Sequence, residues 1–250
     1  MLKLTDSSKN KLKLVSAVVF IYILLFEFIL PDSEFFPRPT LILESLKALW
    51  SEYFLFTEFA YTSSALYIAF LIALVIMHFS SGFIIKTMLK FKESVEALSV
   101  FGYFPSFFYA VLIAFWFELN WFIELAFLLI AFVTLFWKDL FNSLSTIKTE
   151  YNDAALSIKG DRDSDFYDVV YKSILPEFVK TLSKNHLYVW IVLLTFEFIH
   201  DVSGLGSLFN KILNFHDLGG VFGLTIVVSL LIFIGNMLIQ FANKRMVDWE

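Results

Sequence analysis

Six stretches of this sequence are apolar for long enough to cross a bilayer as helices, and that pattern restricts the chain to very few folds. Spanning the hydrocarbon layer takes roughly 17–25 residues of helix, because each backbone polar group must find its partner within its own segment. The stretches run approximately Leu14–Leu30, Phe59–Phe79, Val95–Phe117, Trp121–Trp137, Leu182–Ile199 and Val221–Phe241. The fourth carries Glu124 near one end and follows the third closely, as in a tight helical hairpin. With 58% of 250 residues hydrophobic, 17% charged and 32 Phe, the chain has more apolar surface than a soluble core of this size could cover. The expectation is an all-α integral membrane protein, residues 1–250 forming one transmembrane domain of about six helices.

Lysines 9, 11 and 13 before the first stretch give it the look of a signal peptide. It is long, however, and ends in Pro31-Asp32 without a small-residue cleavage pattern, so it reads as a retained helix. Placing both termini in the cytoplasm puts sixteen of the nineteen Lys and Arg inside and leaves Arg38, Lys47 and Lys211 outside. Basic residues favour the cytoplasmic side, so this is the expected orientation of a multi-pass protein of the cytoplasmic (inner) membrane.

Two loops carry patterns of their own. The outer loop holds Phe36-Pro37-Arg38-Pro39-Thr40 and then Leu41–Trp50, where Ile42, Leu46 and Leu49 make one apolar helical face and Thr40 is the expected cap. The inner loop, about 138–181, places Tyr151, Ala154, Ala155 and Ile158 at i, i+3, i+4 and i+7, the spacing of one helical stripe. Phe166, Val169, Val170 and Ile174 form a second stripe, with Gly160 as a bend between the arms and Leu175-Pro176 as the expected end of the second. Such a pair of short helices either packs on its own membrane domain or docks into a partner's groove, and periodicity leaves both open.

Catalytic signatures are missing: there is no G-x-S-x-G, no H-E-x-x-H and no G-x-x-x-x-G-K-[ST]. Histidines 78, 186, 200 and 216 show no metal-ligand spacing and read as interfacial or loop residues, and there is no Cys. No catalytic residue, metal, cofactor or nucleic-acid partner is expected. Energy for any transport must come from a gradient or a partner subunit.

Taken together, Asp153-Ala154-Ala155, Gly160 and Ile174-Leu175-Pro176 resemble the E-A-A…G…I-x-L-P cytoplasmic signature of binding-protein-dependent ABC importer permeases. Downstream, Glu197 followed by Ser203-Gly204-Leu205-Gly206, then Phe215, Asp217, Lys244-Arg245 and Trp249, resembles the nitrate/sulfonate/taurine branch of that family. Pro37-Arg38-Pro39-Thr40 resembles the P-x-P-[ST] after its first helix, and Asn142 matches an Asn after its fourth. Three departures stand out: Asp153 replaces the usual Glu, Lys159 occupies the usual Gly position, and the stretch to Pro176 is about four residues longer, the excess falling in 161–165. The resemblance implies a type I ABC importer permease fold, with two permeases paired as a homodimer. It also implies two cytoplasmic ATPase subunits gripping the inner loops and an extracytoplasmic binding protein delivering a small solute.

Within that frame Glu197 lines a gate or the permease dimer interface, the alternative being a side chain that snorkels to the outer surface. Glu27 and Glu124 read as interfacial. Gly204 and Gly206 break the fifth helix, so that the segment up to Gly220 is re-entrant or lies on the outer surface, with Ser203 at its start. Gly102 and Pro105 kink the third helix. Competing readings are a permease for another solute class, such as a vitamin precursor, a polytopic membrane enzyme acting on lipid, and a structural or assembly protein.

Overall fold

The computed structural model describes residues 6–31, 33–90, 106–118, 120–146, 163–201 and 203–246. Among these, every regular element is helical. Helix α1 (Asp6–Ile23) runs into a π-helical turn, Leu24–Ile29, and is followed by the short α2 (Pro39–Ser51) and the long α3 (Leu55–Lys90). Then come α4 (Ser106–Trp116), α5 (Trp121–Thr146), α6 (Asp163–His200), α7 (Leu205–Asn214) and α8 (Leu218–Met246).

Three of these are long and apolar enough to cross a membrane: Leu55–Phe83 of α3, Trp121–Asp139 of α5 and Leu218–Lys244 of α8. A fourth crossing is made if Lys184–His200 and α7, bent by 51° at the break between them, act as one span. The packing supports lipid as the solvent. On α3 the inward stripe is Ala65, Ala69, Ala73 and Met77, while the outward face is Leu71, Ile72, Val75, Ile76 and Phe79, equally apolar and exposed. A helix with water on that side would carry polar residues there. The chain is therefore a multi-pass membrane protein.

Small residues on the inward stripe let α3 approach α5, a means of close packing in lipid, where apolar burial supplies no force of its own. Phe70 of α3 meets Phe132 and Phe136 of α5 edge-on, with ring centroids 5.3 and 6.1 Å apart. Tyr61 of α3 lies beside Glu124 of α5, so α3 and α5 run the same way. Glu124 also neighbours Glu197 of α6, whereas Asp139, farther along α5, accepts a hydrogen bond from Asn185, so α6 runs the opposite way. Trp190 of α6 is completely buried at the centre of the core.

The outer helix of the sequence reading is α2, and its expected face is largely the one that packs: Ile42, Ser45 and Leu49 are buried, with Leu46 against the core. Thr40 does not cap it. Arg38 is the cap residue and Pro39 the first helical one. Thr40 N–H donates instead to Glu27 Oε2 (3.2 Å) and its hydroxyl to Glu27 Oε1 (3.0 Å). Glu27, read as merely interfacial, thus holds the first turn of α2 from the preceding segment. The stretch Leu14–Leu30 is divided between α1 and the π-helical turn. Residues Val18, Val19, Phe20 and Ile21 of α1 are all exposed, so its apolar surface faces outward on every side.

Asp217 precedes α8 and caps it in the usual manner of an Asp at this position, its Oδ1 accepting Gly220 N–H (2.8 Å). The same oxygen accepts the Ser45 hydroxyl (3.2 Å), which fixes α2 across the start of α8. Gly219 permits this approach, since a Cβ there would press on Ser45 and Leu41.

Candidate functional site

Helix α6 ends at His200 for a local reason: Asp201 has a positive φ of 47°, and Gly204, at φ 97°, completes the reversal into α7. The three backbone amides that open α7 then find acceptors on other helices. Gly204 N–H donates to the Glu58 carboxylate, Leu205 N–H to Thr62 Oγ1 (2.8 Å) and Gly206 N–H to Glu197 Oε2 (2.7 Å). Thr62 passes its own hydrogen to Glu197 Oε1 (2.7 Å), so both Glu197 oxygens are engaged. The first amides of a helix have no partner within it and carry its positive end, which is why carboxylates settle there. Ser207 adds a bond to Asp201 Oδ1 (2.8 Å), closing the turn from the other side.

Glu197 is 2% exposed. It therefore does not snorkel to the surface, the alternative left open by the sequence. Both glycines are explained by its position. A Cβ on Gly204 would run into the Glu197 carboxylate, and one on Gly206 into Leu194 O, Glu197 Cβ and Phe198 N.

Beside this turn lies a small pocket lined by Tyr61, Asn120, Glu124, Glu197, His200 and Ser203, together with Phe196. Asn120 caps α5, its Oδ1 accepting Phe122 N–H (3.0 Å) and Ile123 N–H (3.1 Å). That cap puts Glu124 in the first turn of α5, facing Glu197. Phe127 stacks on Phe196 with ring centroids 4.6 Å apart and sets the spacing of α5 and α6. Glu124 is 4% exposed, which corrects its reading as an interfacial residue. Its Oε1 receives no hydrogen bond.

A comparison with protein-family models, with characterised proteins and with solved structures finds no match to this chain.

The residues singled out in the sequence divide accordingly. Glu197, Ser203, Gly204 and Gly206 come together at one turn. Leu175 and Pro176 lie inside α6, which continues from Asp163 to His200 without stopping at the proline, so the expected end of the second arm is corrected. A proline inside a helix costs one backbone hydrogen bond and bends it without having to end it. Pro105, Tyr151, Asp153, Ala154, Ala155, Ile158 and Gly160 lie outside the described residues. Glu58, Tyr61 and Thr62 were missed. Their i, i+3, i+4 spacing puts three polar groups on one face at the start of an apolar span, and that was the available signal.

A second buried polar group also escaped the sequence reading. His186, expected at an interface or in a loop, is fully buried in α6. Trp190 Nε1–H donates to its Nε2 (3.0 Å), so its hydrogen sits on Nδ1 and donates to Asn236 Oδ1 (2.9 Å) on α8. Tyr67 OH of α3 lies 3.3 Å from the same Nε2, and Gly235 leaves room for the ring. This neutral imidazole ties α3, α6 and α8 together. No three His, Asp or Glu side chains converge in metal-binding geometry among the described residues.

Proposed function

We propose that this chain is the permease subunit of an ATP-driven ABC importer of the binding-protein-dependent type. In this reading it has six spans in a type I fold, both termini in the cytoplasm, and a place in the cytoplasmic membrane as one half of a homodimer. Cytoplasmic ABC ATPases drive it through the inner loop, and an extracytoplasmic binding protein supplies a small solute, an anion of the nitrate, sulfonate or taurine type being the class the resemblance favours. Hydrolysis of ATP belongs to the partner.

The observation that carries this reading is the Ser203-Gly204-Leu205-Gly206 turn. The segment that resembles the family most closely is also the point where α6 breaks and the chain bends by 51° into α7. There, side chains of α3 and α6 hold the amides of α7. A break pinned from two helices moves only when those helices move, which suits an element that follows rocking between inward-open and outward-open states.

The test is made on the inner loop. Co-expressed with an ABC ATPase of the same genome, the chain is expected to crosslink to it from positions near Ala155. Ala155→Asp abolishes co-purification while membrane insertion persists, because an unpaired charge in a buried contact costs several kcal/mol. Wild-type recovery of the ATPase with Ala155→Asp, or crosslinking from Leu41–Trp50 that equals or exceeds that from Ala155, overturns the reading.

A further inference from the structure

We propose that the pocket between Glu124 and Glu197 binds a single monovalent metal cation of about sodium's size. Two carboxylates face it, and no Lys or Arg lines it. They differ in their surroundings. Each Glu197 oxygen accepts one hydrogen bond, from the Thr62 hydroxyl and the Gly206 amide, and keeps a lone pair for a cation, whereas Glu124, also buried and beside the Tyr61 hydroxyl, has an Oε1 that receives none. A buried carboxylate oxygen left without a donor is costly, and a second carboxylate beside it raises that cost. A cation between the two removes both penalties at once.

The donor set selects the kind of cation. Beside the two carboxylates the wall offers Tyr61 OH and Ser203 Oγ, hard oxygens that suit an alkali or alkaline-earth ion, with His200 as its one imidazole. Calcium takes about six to eight oxygen ligands and magnesium keeps several waters of its own, and a space of this size has room for neither shell. The space is about that of one water molecule, too small for an organic cation. Because Glu197 also holds the amide of Gly206, a cation on Glu197 acts directly on the α6–α7 turn.

The experiment uses the purified full-length chain in lipid nanodiscs and measures binding of radioactive sodium. Saturable binding of one ion per chain is expected, competed by unlabelled sodium and not by choline. Glu124→Gln weakens it by about tenfold or more and Tyr61→Phe by less, while Gly82→Ala, remote from the pocket, binds as wild type. A second measurement stands if Glu124→Gln folds poorly: a hydrophobic carbodiimide, which attacks buried protonated carboxyl groups, labels Glu124 of the wild-type chain, and sodium slows that labelling while choline does not. Absence of saturable sodium binding, or labelling indifferent to sodium, overturns the proposal and leaves the pocket to a proton or a water.

Discussion

A methyl group at Gly206 would have to share space with the Leu194 carbonyl and the Phe198 amide, both of them backbone that cannot swing aside. At Gly204 the obstacle is the Glu197 carboxylate, and the φ of 97° is one that L-residues resist. Gly204→Ala and Gly206→Ala are each expected to destabilise the protein by about 1–3 kcal/mol, from strain at the first and overpacking at the second. Gly82→Ala in α3 meets nothing within 4 Å, so it should be neutral or stabilising by about 0.5–1 kcal/mol. Thermal unfolding in detergent checks all three, and melting of the Gly206 variant at the wild-type temperature would remove the close approach from the account. Both glycines were legible as a helix break in the sequence. What they make room for was not, since Glu58 and Thr62 lie well over a hundred residues upstream and only the folded chain brings them to the turn.

Elements hold one another here through single polar contacts at their ends. The clearest case is α2, whose first turn is fastened by Glu27 from the preceding segment and whose middle is fastened by Ser45 to the cap of α8. Removing an acceptor from a helix start costs about 0.5–2 kcal/mol, and an anion there also answers the helix dipole. Glu27→Ala should therefore raise the exchange rate of the Thr40 amide hydrogen by about tenfold, with amides in the middle of α8 unchanged. Equal exchange in wild type and variant would show that the contact does not hold the helix. The apolar face of α2 was readable because a surface helix advertises its buried side by period. The course of α6 through Pro176 was not, because a proline removes one backbone hydrogen bond and bends a helix without having to end it, and Pro176 lies ahead of the apolar stretch that begins at Lys184.

Across the whole molecule, charge and helix direction point to the same two sides. Glu58, Glu124 and Glu197 cluster at the end of the bundle where α3 and α5 begin and α6 finishes. Lys47 on α2 and Lys211 on α7 are near that end, because α2 packs at the start of α8 and α7 starts at the same cluster. Lys244 stands at the far end of α8, a helix of 29 residues, which at 1.5 Å per residue is about 43 Å long, enough to cross the hydrocarbon layer. Lys138 likewise lies toward the far end of α5. The chain has no Cys, so a single introduced thiol reports one position without further changes. In intact cells, Lys47→Cys and Lys211→Cys should react with a membrane-impermeant maleimide, and Lys138→Cys and Lys244→Cys only once the membrane is opened. Labelling of Lys47→Cys and Lys244→Cys from the same side would mean that α8 does not cross the membrane. Labelling of each pair from the side opposite to that expected would leave the spans intact but invert the protein, placing the α7 turn toward the cytoplasm, where no extracytoplasmic binding protein could reach it.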